Sequence, residues 1–182
     1  TVEARPLEHR DFAMGFRLAE RTRPGRFHPE RARELGVPEG PAFGRLKDGD
    51  PVTTEEGTTV RSEQGLGPPR PGVSMAYVTD TRPCDGGRAL ADGVDVLYHD
   101  ATFTEALHAR AVETGHSTAR EAAEVAQDAG VGRLLLGHLS ARYADPTPLA
   151  TEAQSVFAAA TVAEELRRYT LDPRTKEGHR SS

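Results

Sequence analysis

The chain has 182 residues, a formal net charge of −5 and 36% hydrophobic residues, which suits one domain with a real core. Its one cysteine, Cys84, excludes an intramolecular disulfide framework and a Cys-rich zinc module. No signal-peptide pattern and no apolar run near the roughly 18 residues of a membrane span are present, so the reading is cytoplasmic with no membrane partner. The acidic balance argues against a protein that coats nucleic acid through charge alone.

Residues 2–6 and 15–19 read as short strands, and 29–35 as a short helix stopped at Gly36. Across 17–33 run Arg17, Arg21, Arg23, Arg26, Arg31 and Arg33 against only Glu20 and Glu30, a basic stretch on an acidic chain. Residues 36–52 (GVPEGPAFGRLKDGDPV) are dense in Gly and Pro and predict a shaped loop or extended arm, not a core element. Residues 61–72 read as another loop. From residue 73 the pattern changes. Residues 74–80 (SMAYVTD) and 95–101 (DVLYHDA) predict strands that run into polar residues, and 103–112 is helical. Residues 118–129 predict a helix with Ala119, Ala122, Ala123, Ala126 and Ala129 on one face. A Thr118-x-x-Glu121 capping box opens it and Gly130 stops it. RLLLGH at 133–138 predicts a third buried strand, 149–157 a helix, 168–171 a last strand, and 172–182 a polar tail.

Strands alternating with helices predict an α/β layer. Ligands of such sheets gather outside the carboxyl ends of the strands. Three strand ends carry Asp80, then His99-Asp100, then His138. Each has an ordinary alternative. An Asp can simply start a turn, and a His after an apolar run can be a hydrogen-bonded structural residue. His116 precedes the capping box, where it either supports the cap or faces an anion at the helix N-terminus. Asp100 could orient the His116 ring for acid–base work. His9 lies in the turn between the first two strands. Two histidines and a carboxylate at element ends match the N/O donor set of a zinc hydrolase.

The strings themselves resemble the ribonuclease Z family, tRNA 3′-processing endonucleases of the metallo-β-lactamase fold. DVLYHDATFT (95–104) looks like the family's HEAT segment, and GHSTAREAAEVAQDAGVGRLLLGHLSARY (115–143) like its HST loop, helix and T-H-x-S-x-R-Y strand end. MAYVTDTR (75–82) looks like its G-D-T turn, and LEHRDFAMGFRLAE (7–20) like the segment with a metal-binding His. Residues 36–52 follow the G-x-P-x-G-P-x-x-G-x-L-K pattern of its substrate arm. The resemblance implies an α/β, αβ/βα sandwich, incomplete, with residues 1–171 as its C-terminal part and a protruding Gly/Pro-rich arm at 22–52.

It further implies that His9 holds one zinc, Asp80 bridges two, His138 holds the second, and His116 with Asp100 assists the leaving oxygen. Gly40, Pro41, Gly44 and Lys47 would grip precursor tRNA from the arm of a homodimer. The implied reaction is phosphodiester hydrolysis that frees the 3′ trailer. Three positions depart from the pattern: Thr79 stands where the family has Gly, Asp100 where it has Glu, and Gly137 where it has Thr. The family's H-x-H-x-D-H motif does not occur in 1–182, and the chain starts at Thr1. The expectation is therefore a fragment that binds zinc poorly alone and is inactive in isolation. The alternatives are another hydrolase of the same fold, acting on small phosphodiesters or sulfate esters, and a non-catalytic RNA-binding or dimerising module.

Overall fold

A computed structural model describes residues 1–171, and the tail read at 172–182 lies outside the described residues. The chain divides into two compact units, residues 1–20 with 73–171, and residues 21–72. The first unit opens on β1 (Val2–Leu7) and β2 (Ala13–Ala19). The second holds α1 (Pro29–Glu34), α2 (Pro41–Asp48), β3 (Val52–Thr53), β4 (Thr59–Val60) and α3 (Ser62–Gly65). The chain then returns with β5 (Ser74–Val78), α4 (Asp85–Ala91), β6 (Val96–Asp100), a 3₁₀ turn at Glu105–Leu107, α5 (His108–Thr114) and α6 (Ala119–Asp128). It closes with β7 (Arg133–Gly137), α7 (Thr147–Val156) and β8 (Ala160–Val162).

The first unit is built on a six-stranded sheet, ordered β1-β2-β5-β6-β7-β8. β1, β2 and β5 pair antiparallel, and β5 through β8 pair parallel. β1 and β2 need only the turn at 8–12, whereas each parallel pair needs a crossover, which the helices supply. Alternation along the strands sends Val78, Leu97, Leu134 and Leu136 to one face, where all are fully buried. Each such side chain contributes about 1.5–3 kcal/mol on leaving water. α4, α6 and α7 pack against the sheet and each other there. α6 meets it through Ala119, Ala122, Ala123 and Ala126, whose small side chains let a helix lie close to the strands. Its start is the expected capping box. The Glu121 N–H donates to Thr118 Oγ1 at 3.1 Å, and the Thr118 N–H to Glu121 Oε2 at 2.8 Å. The other face keeps Phe16, Leu18 and Tyr77 exposed at 40%, 44% and 39%. They are neighbours by register: Phe16 pairs with Tyr77 and Leu18 with Met75.

The second unit has its own small core of Ala32, Val37, Leu46, Val52 and Val60. Phe27 and Phe43 flank it edge to face, 5.0 Å between centroids. Here the structure corrects the expectation for 36–52. That stretch is no plain loop: it contains α2, whose Leu46 is fully buried. The Gly and Pro residues punctuate the helix. Pro41 occupies the first turn, where its missing N–H costs nothing, and Gly49 ends the helix in the left-handed conformation at φ 100°. Residues 61–72 likewise contain one helical turn, α3.

Three further corrections concern the first unit. The last strand is β8 at Ala160–Val162, not 168–171. The segment after it is irregular, held where the Glu164 N–H donates to Tyr169 Oη at 2.9 Å. The helix expected from 103 begins later, as the 3₁₀ turn followed by α5. α4 was not expected at all. Its Gly86 and Gly87 argue against a helix on propensity. Packing explains one of them, since a Cβ on Gly86 would lie 2.1 Å from the Pro6 carbonyl oxygen of β1.

Candidate metal centre

The C-terminal ends of β5, β6 and β7 lie side by side, and the turn after β1 and the loop after α5 reach the same edge. Asp80 follows β5, Asp100 ends β6 and His138 follows β7. His9 sits in the β1–β2 turn and His116 just before α6. Asp80 and His138 are non-glycine residues with positive φ, 51° and 56°. Such left-handed residues cost on the order of 1–3 kcal/mol each and cluster at functional sites. Gly115 adds a close approach. A Cβ there would stand 3.2 Å from the Arg10 nitrogen and 3.3 Å from His9 Cδ2, at a φ of 78°. Only glycine lets the two loops meet this closely.

Asp100 is the best-anchored group of the site. Its side chain is 0% exposed. Oδ1 accepts the Thr102 N–H at 3.0 Å, the Thr102 hydroxyl at 2.8 Å and the Ser117 N–H at 3.3 Å. Oδ2 accepts the Thr81 N–H at 3.2 Å and lies 2.8 Å from His116 Nδ1. These donors occupy the carboxylate's roughly four lone-pair sites. Asp100, His116 and His138 could by proximity hold an ion, but the saturation of Asp100 argues against its being a ligand. It serves instead as the acceptor that fixes Nδ1–H on His116 and leaves Nε2 for chemistry outside.

His138 connects the site's two halves. Its Nε2 is 2.9 Å from Asp80 Oδ1, and its Nδ1 is 3.0 Å from Thr102 Oγ1. A Thr102 hydroxyl that accepts from His138 Nδ1–H while donating to Asp100 sets the tautomer with the Nε2 lone pair toward Asp80. Two donors that share one zinc, each about 2.0–2.2 Å from it, stand roughly 3 Å apart. The His138–Asp80 spacing therefore fits a shared ion. His9, Asp80 and His116 offer a second group, with ligand atoms within 4.8 Å of one another. The rings of His9 and His138 each lie 5.0 Å from that of His116.

All five residues singled out at this edge are thus brought together. Thr102, Thr81 and Ser117 were missed, because which donors saturate a carboxylate is decided by tertiary contact. His99 points the other way. It is buried in the core layer, its Nδ1 2.8 Å from the Asp100 carbonyl oxygen, and burial pushes its pKa down. Gly40, Pro41, Gly44 and Lys47 all belong to the second unit, Gly40 as the residue capping α2 and the others within it. Lys47 Nζ lies 5.0 Å over the Phe27 ring. Of the basic stretch, Arg17 is used structurally: it donates to the Asp92 and Leu90 carbonyls at the end of α4, at 2.7 and 3.3 Å.

The sequence was compared with known proteins. A beta-lactamase superfamily domain matches residues 53–139. Ribonuclease Z of Salinibacter ruber is 75% identical over 177 residues, covering 97% of this chain and 55% of the relative. Ribonuclease Z of Haloferax volcanii is 55% identical, covering 86% of this chain and 50% of the relative. The chain spans about half the length of the curated relatives it matches. Among solved structures, the short form of human tRNase Z superposes with a TM-score of 0.53 at 22% identity, over 94% of this chain and 43% of that one. A metallo-beta-lactamase fold protein of Bacillus subtilis gives 0.55 at 16% identity, over 90% of this chain and 46% of that one. At those identities the likeness is one of fold.

Proposed function

We infer that this chain, which belongs to the ribonuclease Z family within the beta-lactamase superfamily, carries part of a zinc-dependent endoribonuclease site that removes 3′ trailers from precursor tRNA. The observation that carries this reading is the convergence of His9, Asp80, Asp100, His116 and His138 at one sheet edge, with Asp100 held by five donors. His9, Asp80 and His138 would hold the metal, with Asp80 shared between two ions in the complete site. Zinc there supplies a Lewis acid and a bound water acidic enough to give hydroxide near pH 7.

The chain's own residues do the rest. Asp100 keeps the His116 Nδ1 proton in place, so the ring presents Nε2 outward, where a proton could be held for the leaving group. That proton is available to the leaving oxygen as the phosphodiester bond breaks. A tRNA-sized substrate needs contacts away from the scissile bond, made through RNA shape and backbone. The second unit, with Gly40 capping α2 and Pro41, Gly44 and Lys47 within it, is our candidate for that grip. A homodimer and a cytoplasmic setting belong to the same reading. No helix among the described residues is long and apolar enough to cross a membrane.

Residues 21–72 leave and return at adjoining points, where the Glu20 N–H donates to the Val73 carbonyl at 2.9 Å. They can therefore be replaced by a short Gly/Ser linker. In the complete reading frame that carries these 182 residues, the replacement should abolish precursor-tRNA cleavage and spare hydrolysis of bis(p-nitrophenyl) phosphate. Equal loss on both substrates would refute the assignment of the grip to this unit. Cleavage of neither substrate by the unaltered protein with zinc would refute the function.

A further inference from the structure

The turn that carries His9 borders two clefts of unlike chemistry. Leu7 pairs with Ala13 across β1 and β2, so residues 8–12 close the hairpin in a short loop. The loop is tied to the segment after β5: the Glu8 N–H donates to Thr81 Oγ1 at 3.2 Å, and the Arg82 N–H to the Glu8 carbonyl at 3.0 Å. One cleft, of about 380 Å³, sets His9 beside Arg10, Arg82 and Glu8, two guanidinium groups against one carboxylate. The Arg82 Nε lies 3.6 Å from Glu8 Oε2, and among the described residues no acceptor meets the Arg10 side chain. The other cleft, of about 420 Å³, is lined by His9, Asp11, Phe12, Thr79 and Asp80, and no lysine or arginine lines it. Both have the size of small-ligand sites, roughly 300–1,000 Å³. Phe12 is 88% exposed, and among the described residues no ring or cation packs on it.

We propose that Phe12 is a stacking platform for the base of a nucleotide that flanks the cleaved phosphodiester. Aromatic side chains hold single-stranded RNA in this way, because every base has a π-face. A ring presented on a loop that tertiary bonds already hold needs little further ordering when a base is laid on it. The chemistry of the cleft selects a base over a phosphate. In the complete site Asp80 faces the metal, so the remaining charged group of the cleft is the Asp11 carboxylate, which repels a phosphate. The cleft with Arg10 and Arg82 suits the backbone instead. A strand laid across His9 would then place a phosphate in one cleft and a base in the other, with the bond to be cut at the metal edge. A phenyl ring reads no hydrogen-bond pattern, so the subsite takes any base, with preferences set by stacking strength. This inference rests on the tRNA reading above, and its test separates the two.

The test uses the complete reading frame that carries these residues, with zinc, and precursor tRNA made abasic at either nucleotide flanking the cleaved bond, one at a time. On intact substrate Phe12→Ala should lower single-turnover cleavage at subsaturating enzyme by about 5–150-fold, the value of one stacked base. Phe12→Trp should restore it. The parent should cleave one of the two abasic substrates as slowly as Phe12→Ala cleaves the intact one, and on that substrate Phe12→Ala should cause no further loss. The melting temperature should stay near that of the parent, since the ring is already in water. The salt dependence of binding should keep its slope, because stacking releases no counterions. Equal cleavage by Phe12→Ala and the parent would overturn the proposal and leave the tRNA reading standing. So would a Phe12→Trp variant no better than Phe12→Ala. Losses that multiply on both abasic substrates would also overturn it, marking Phe12 as a packing residue covered elsewhere in the complete protein. A parent that cleaves no precursor tRNA would overturn both readings.

Discussion

Replacing Asp100 by Asn tests the site at its most constrained point. The change is nearly isosteric, so the cavity and the surrounding packing stay as they are. The amide has one acceptor oxygen where the carboxylate has two. With that oxygen toward Thr102 and Ser117, the NH₂ faces the Thr81 N–H and His116 Nδ1, which lie 3.2 and 2.8 Å from Oδ2. The Thr81 N–H then loses its acceptor in a fully buried setting, at about 1–3 kcal/mol. His116 responds by switching tautomer, so its Nδ1 accepts and its Nε2 carries the proton permanently. With the acceptor that fixed the ring's tautomer and orientation gone, the general-acid contribution of about 10²–10⁴-fold should vanish from the cleavage rate. Metal content should not change, because the lone pairs of Asp100 are already taken by protein donors. The assays are chemical denaturation, metal analysis by mass spectrometry, and single-turnover cleavage of a precursor tRNA. Loss of a metal ion from Asp100→Asn would show Asp100 to be a ligand and refute the reasoning, and so would an unchanged rate.

Other outcomes follow from the same geometry. Leu134→Ala opens a cavity in the layer under α6 and α7 and should cost about 2–5 kcal/mol in denaturant unfolding; a cost below 1 would mean the layer relaxes freely. Burial holds the His99 pKa below its ordinary value. The unfolded chain therefore takes up a proton below about pH 6.5 that the folded chain refuses, and stability falls as pH drops through that point. His99→Gln, measured without metal, should make this fall shallower, and a parallel curve would contradict it. Thr118→Ala removes the acceptor of the α6 capping box and should cost about 0.5–2 kcal/mol by thermal or denaturant unfolding.

Much of this arrangement could be read from the residues. The runs SMAYV, VLYHD and RLLLG announce strands because parallel strands under helices are apolar throughout, and the Thr118–Glu121 box marks a helix start by chemistry alone. The metal-edge residues were visible as polar groups at strand ends. Failures came where tertiary contact overrides local signals. Gly86 hides α4, because its reason for being glycine is the Pro6 carbonyl across the layer. Gly40, Pro41 and Gly49 look like a loop until they are seen to bracket a helix. Residues 168–171 have the apolar content of a strand but are tied back through Tyr169, while the shorter β8 takes the sheet edge. The oddity at Gly137 could be noticed in the sequence, but its cause, the Tyr98 ring on the neighbouring strand, whose Oη a Cβ at 137 would meet at 1.9 Å, could not.

The exposed side of the six-stranded sheet also bears on how the molecule must be handled. Phe16, Leu18 and Tyr77 lie together on a twisted surface with no charge among them, the kind of patch that chaperones and apolar dyes grip. A solution of this polypeptide alone should scatter more light as it is concentrated and brighten an apolar dye while still folded. A second polypeptide able to lay an apolar sheet or helix layer on that side would act as its solubiliser. The two could then be purified together from separate genes, as a pair whose meeting the loss of dye signal reports.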